Sequence, residues 1–177
     1  MKIIFTRHGE RTYSTVAVRD DKVIVQVPGF DRPTWLPHDL AHYIVEHRLG
    51  LKQGFWGRVA AGAIFPGMKV LEGRQPPHAA SHSRAAVRES PRIGTEAEVL
   101  VAFFAEIAQQ QLERDWPLAQ KKLRQLWQAD QPGNTLLGHS EVRRVCLELR
   151  DFQQQWQALA IGQSLTVIWP YSKTRRH

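Results

Sequence analysis

Read by hydrophobic period, the chain divides into a strand-like opening and a longer helical remainder. Residues 2–6 are an apolar run, and Tyr13–Arg19 and Lys22–Val27 alternate apolar with polar side chains, as half-buried strands do. Asp20-Asp21 makes the turn between the last two. Connections of six and two residues are too short for parallel crossovers, so the opening predicts an antiparallel meander. Pro28-Gly29 ends it, and Pro33 lies in the loop beyond. The period then becomes helical, with Leu40, Ala41, Ile44, Val45 and Leu49 on one apolar stripe. Pro37 suits the first turn and Thr34 is a cap upstream.

Phe55–Ala63 predicts a second helix whose Gly57, Ala60, Ala61 and Ala63 permit close packing. Residues 67–94, rich in Pro, Gly, Ser, His and Arg, predict an irregular segment, with a short helix around Ala79–Arg88 as the alternative. Thr95-Glu96-Ala97-Glu98 has the form of a capping box ahead of a helix to about Arg114. Trp116-Pro117 opens another, stopped by Gln131-Pro132-Gly133. Val142, Val145, Cys146, Leu149, Phe152, Trp156 and Leu159 stripe a long last helix, capped by Ser140 and closed by Gly162. Ser164–Trp169 alternates as a final strand that can rejoin the sheet. The expected fold is α+β, a small antiparallel sheet packed with about five helices, as a single domain over 1–177.

One stretch gathers potential ligands on a single face. Positions four apart on a helix sit one above the other, so His38, His42 and Glu46 align, with Asp39 beside the first. Two His at this spacing can reach one zinc, and a carboxylate can complete three protein ligands. The expected site is therefore a divalent metal, zinc in type, held by His38, His42 and Glu46. Asp39 is the candidate catalytic residue, orienting a ligand or handling the proton of a bound water. As an enzyme, such a protein performs metal-assisted hydrolysis on a small-molecule substrate that the sequence does not identify. The same residues also have a purely structural reading. A chain with 8 His reaches this spacing by chance, as His78 and His82 illustrate.

Pro-His-Asp-Leu-Ala-His-Tyr-Ile-Val-Glu at 37–46, followed by Gly-Phe-Trp-Gly-Arg-Val-Ala-Ala-Gly-Ala-Ile-Phe at 54–65, resembles a group of small uncharacterised bacterial proteins. That resemblance extends to about residue 100 and implies no particular activity. His38-Asp39-x-x-His42 is also similar to the opening of the zinc motif in a ubiquinone-biosynthesis family. That motif continues to a Glu twelve positions after its second His, where this chain has Gly54, so the family's function is not carried over. Ile4-Phe5-Thr6-Arg7-His8-Gly9-Glu10 resembles the opening of the histidine phosphatases. The resemblance implies His8 as nucleophile, Arg7 as phosphate clamp and His139 as its neighbour. In that family the motif leads into a helix within a parallel sheet, whereas here Tyr13–Val27 continues as a hairpin.

Composition sets the outer bounds. The chain has 177 residues, 42% of them hydrophobic and 23% charged, as in ordinary globular domains. No apolar run approaches a membrane span, and Met1-Lys2-Ile3-Ile4-Phe5 runs straight into charge, so no signal peptide and no membrane are expected. The one cysteine, Cys146, fits the apolar stripe of the last helix and a cytoplasmic setting. A net charge of +7 permits a different kind of function, a non-catalytic binding protein with a basic surface. Nucleic acid is then a possible partner, although no recognition motif accompanies the charge.

Overall fold

The computed structural model describes residues 1–29, 35–74, 91–130 and 137–171. Its architecture is the expected α+β, a five-stranded antiparallel sheet with five helices among the described residues. The strands are β1 (Lys2–Arg7), β2 (Tyr13–Val18), β3 (Ile24–Val27), β4 (Lys69–Glu72) and β5 (Ser164–Ile168), in the order β4-β3-β2-β1-β5. The helices are α1 (His38–Leu49), α2 (Phe55–Ala60), α3 (Pro91–Gln110), α4 (Trp116–Asp130) and α5 (His139–Ala158). A short 3₁₀ turn, Leu112–Arg114, precedes α4.

The meander forms because two-fold alternation and short turns leave no other pairing. Phe5 faces Thr15 across β1–β2 and Leu165 across β1–β5. Ile3, Phe5, Tyr13, Thr15, Ala17, Val25, Val27 and Val167 are buried, while Lys2, Ser164, Thr166 and Ile168 are exposed. The C-terminal strand does rejoin the opening sheet, along β1, and the Trp169 backbone N–H closes the pair on the Met1 carbonyl at 2.8 Å. Helix and sheet meet through large rings: Phe5 edge-on to Trp56, and Tyr13 edge-on to Trp156, each with centroids 6.1 Å apart. One apolar cluster continues from these rings into Leu40 and Ile44 of α1, Leu100, Phe104 and Ile107 of α3, and Val142, Cys146 and Leu149 of α5.

Several element limits differ from the sequence reading. Within the segment expected to be irregular, Lys69–Glu72 pairs with β3 as an edge strand. That pairing was illegible because four residues carry no countable alternation. The expected short helix at 79–88 and Thr34 lie outside the described residues. α3 begins at Pro91, so Thr95 and Glu98 are inside the helix rather than at its cap. Pro37 occupies the N-cap position of α1 and Gly138 that of α5, with no side-chain cap at either. α2 stops at Ala60, followed by a turn at Gly62 with φ +104°.

The approach of α2 to the preceding loop requires a missing side chain. A Cβ at Gly57 would lie 1.9 Å from the Lys52 carbonyl oxygen, a backbone atom that cannot swing aside. Gly57→Ala is therefore expected to destabilise the protein by about 1–3 kcal/mol or more, the usual cost of overpacking. The loss would be read from the denaturant midpoint followed by tryptophan fluorescence.

Candidate functional site

α1 is the scaffold of the site, and its seating on the sheet decides which of its faces is inside. Thr15 Oγ1 donates to Asp39 Oδ2 at 3.1 Å, and the Tyr13 hydroxyl reaches the same oxygen at 3.4 Å. The indole N–H of Trp56 donates to the Asp39 carbonyl at 2.8 Å. The first turn of α1 is thereby tied to β2 and to α2. Leu40, Ile44 and Val45 go into the core, and the adjoining edge carries His38, His42 and Glu46 towards α2 and α3.

Glu46 is wholly buried, and its carboxylate accepts three hydrogen bonds. His42 Nδ1–H donates to Oε1 at 2.9 Å, the Phe55 backbone N–H to Oε1 at 2.8 Å, and the Trp56 backbone N–H to Oε2 at 3.0 Å. It thus caps the first turn of α2, whose amides have no partners within the helix. Gly54 is required for this. A Cβ there would stand 2.4 Å from the Glu46 carboxyl carbon, in the space the carboxylate fills.

With Nδ1 committed to Glu46, the other nitrogen of His42 faces outward. Nε2 lies 3.1 Å from His38 Nε2 and 3.2 Å from Glu98 Oε1, and His38 Nε2 lies 3.3 Å from Glu98 Oε2. Glu98 comes from α3, across the α1–α3 contact. These three side chains form the group among the described residues able to hold a metal ion. With one oxygen taken from Glu98, the three ligand atoms lie within 4.8 Å of one another, while a tetrahedral ion with ligands about 2.0–2.1 Å away spaces them about 3.3 Å apart, so a small closure of the exposed side chains would complete the shell. Two imidazoles and a carboxylate suit zinc and neighbouring divalent metals and leave a fourth position open. His42 is sunk, whereas the His38 and Glu98 side chains are 49% and 59% exposed, so the open side faces solvent.

The sequence-derived site residues are therefore distributed among different tasks. His38 and His42 come together as expected. Glu46 holds the back of His42, and the third converging atom belongs to Glu98, which the sequence offered only as part of a capping box. The Asp39 carboxylate accepts from the β2 hydroxyls and lies outside the three-residue group. The residues resembling a phosphatase are held apart. Arg7 donates to the carbonyls of Gly9, Gln157 and Leu159, at the C-terminal end of α5. His8 Nε2 is 2.7 Å from Ser14 Oγ within the hairpin. His139 opens the same 20-residue helix, about 30 Å away along its axis, stacked on Trp116 and bonded through Nε2 to the Glu113 carbonyl. Cys146 is buried, and burial together with the Glu113 charge pushes its thiol up to about 12, which leaves it unreactive.

Without metal, the same geometry stores a proton. Burial opposes a charged His42, but the hydrogen bonds and negative charges of Glu46 and Glu98 outweigh it and lift the ring from 6.5 to about 9. Hydrogen bonds from His38 and His42 hold the Glu98 carboxyl well below its usual range, against the opposing effect of burial. A raised histidine contributes stability that is fully present below pH 6.5 and lost as pH rises through about 9. The depressed Glu98 contributes above its ordinary 4.5 and loses that contribution on acidification. The chelator-treated protein is expected to lose thermal stability between pH 6.5 and 9, with a shallower fall in Glu98→Gln. Identical slopes in the two proteins would contradict the coupling.

In comparison with known proteins, no family model, no curated protein and no solved structure matches this chain.

Proposed function

We propose that the protein binds one divalent metal of the zinc type through His38, His42 and Glu98, and uses it for metal-assisted hydrolysis. The observation that carries this reading is the convergence of two imidazole nitrogens and a carboxylate within 4.8 Å of one another, contributed by two different helices. Three protein ligands with a solvent-facing fourth position distinguish catalytic from closed structural sites. A metal bound there supplies Lewis acidity and lowers the pKa of a coordinated water to near 7.

The chain's own residues do the rest. Glu46 accepts the Nδ1 proton of His42, fixes the tautomer that presents Nε2, and makes that nitrogen a better donor. Glu98 would bring the negative charge that offsets a bound cation, from a side chain that is more than half exposed. His38, at the first position of α1, closes the third side. Asp39 acts through placement: its bonds to Thr15 and Tyr13 keep the first turn of α1 at a fixed height on the sheet.

Elemental analysis of tag-free protein purified without chelator is expected to find about one metal per chain. His42→Ala, and the more conservative surface change Glu98→Gln, should both lose it while circular dichroism shows the fold retained. Full metal content in either variant would overturn the ligand assignment. Glu46→Gln gives a different outcome. The site keeps its three ligand atoms, so stoichiometry at saturation survives, but affinity falls by about 10–100-fold, the usual effect of removing a ligand's hydrogen-bond partner. Competition with a chromogenic chelator measures that drop. An unchanged affinity would remove Glu46 from the site.

A further inference from the structure

We propose, resting on the metal reading above, that the site takes a substrate with a planar aromatic group, docked on Phe55 and Phe65 beside His42. The Phe55 ring lies 5.8 Å from the His42 ring, and Phe65 stacks on Phe55 with centroids 5.2 Å apart and planes 24° from parallel. By contrast Trp56, in edge contact with Phe55 at 4.9 Å, and Phe5, edge-on to Trp56, are both fully buried. Phe55 and Phe65 are only partly buried. The shelf is firmly held. Phe55 is fixed through its backbone N–H on Glu46, and the Phe65 backbone N–H bonds the Met68 sulfur at 3.3 Å.

Two contrasting surfaces thus adjoin across one imidazole. The half-exposed His38 and Glu98 make the polar one, suited to a metal and a carbonyl or carboxylate oxygen on it. A stacked, partly open pair of phenyl rings makes the other, suited to the face or edge of a third ring. Binding sites combine a few convergent polar groups with an apolar wall in this way. The ligand class that satisfies both is an acyl or carboxyl compound carrying an aryl group next to the reacting carbon.

Benzohydroxamic and acetohydroxamic acids separate the two halves, because they present the same metal-binding oxygens and differ in phenyl against methyl. The protein is loaded with cobalt(II), whose visible spectrum reports a ligand entering its coordination shell, and both probes are titrated. Benzohydroxamate is expected to bind at least about tenfold more tightly. Phe65→Ala should abolish that preference and leave acetohydroxamate within about twofold, with Phe65→Leu intermediate. Equal affinities in the wild type, or a preference that survives Phe65→Ala, overturn the aromatic shelf and leave the metal reading standing. Cobalt bound without a spectral response to either probe overturns the inference too, since an open coordination position is its premise. Failure to retain cobalt overturns both readings together.

Discussion

The Glu46 carboxylate is the contact on which the rest of this region depends. A fully buried carboxylate is tolerated only when its oxygens are satisfied, and here each oxygen accepts from a backbone amide while one also accepts from His42. One group therefore performs two tasks. It caps a helix of six residues too short to be stable alone, and it fixes the rotation and tautomer of the central histidine. Gly54 makes this possible by leaving room for a carboxylate where any other residue would place a carbon. Removing Glu46 would unseat α2, Trp56 with it, and the histidine that faces the open side.

From that anchor the site grades from rigid to adaptable. His42 is held by a buried partner, His38 stands at the start of α1, and Glu98 reaches across from α3 with more than half of its side chain exposed. The three side chains that could hold a metal thus range from a buried, doubly hydrogen-bonded imidazole to a largely exposed carboxylate. The group also holds together without a metal: protonated His42 sets Nδ1–H against Glu46 and Nε2–H against Glu98, so its positive charge is balanced on both sides. The apolar shelf of Phe55 and Phe65 belongs to the same construction, because the amide that Glu46 holds is that of Phe55.

Much of the fold was legible because it is governed by local periods. β1 to β3, α1 and the stripe from Val142 to Trp156 follow from alternation, helical spacing and turn residues, each acting within a few positions. Local rules failed where pairing is remote or signals are ambiguous. β4 is four residues whose strand character comes only from β3. The Thr95–Glu98 box matches a cap in composition, yet Pro91 starts the helix a turn earlier and turns Glu98 into a surface residue facing α1. The Ile4–Glu10 stretch likewise says nothing of where His139 stands, which is set by the 20-residue helix it opens.

Sequence alone determined the α+β class, the antiparallel meander, and the alignment of His38, His42 and Glu46 on one face of α1, because helix geometry places positions four apart in register whatever surrounds them. Only the tertiary structure decided what that face does. Spacing cannot say whether a carboxylate four residues on faces the same opening as the histidine or sits behind it. That depends on where the amides of Phe55 and Trp56 come to rest, and they draw Glu46 away from the open side. Nor can spacing supply Glu98, which lies 56 positions beyond His42 and arrives only when α3 packs against α1. A cluster of polar side chains is a meeting in space, and its last member comes from whichever element the core brings alongside.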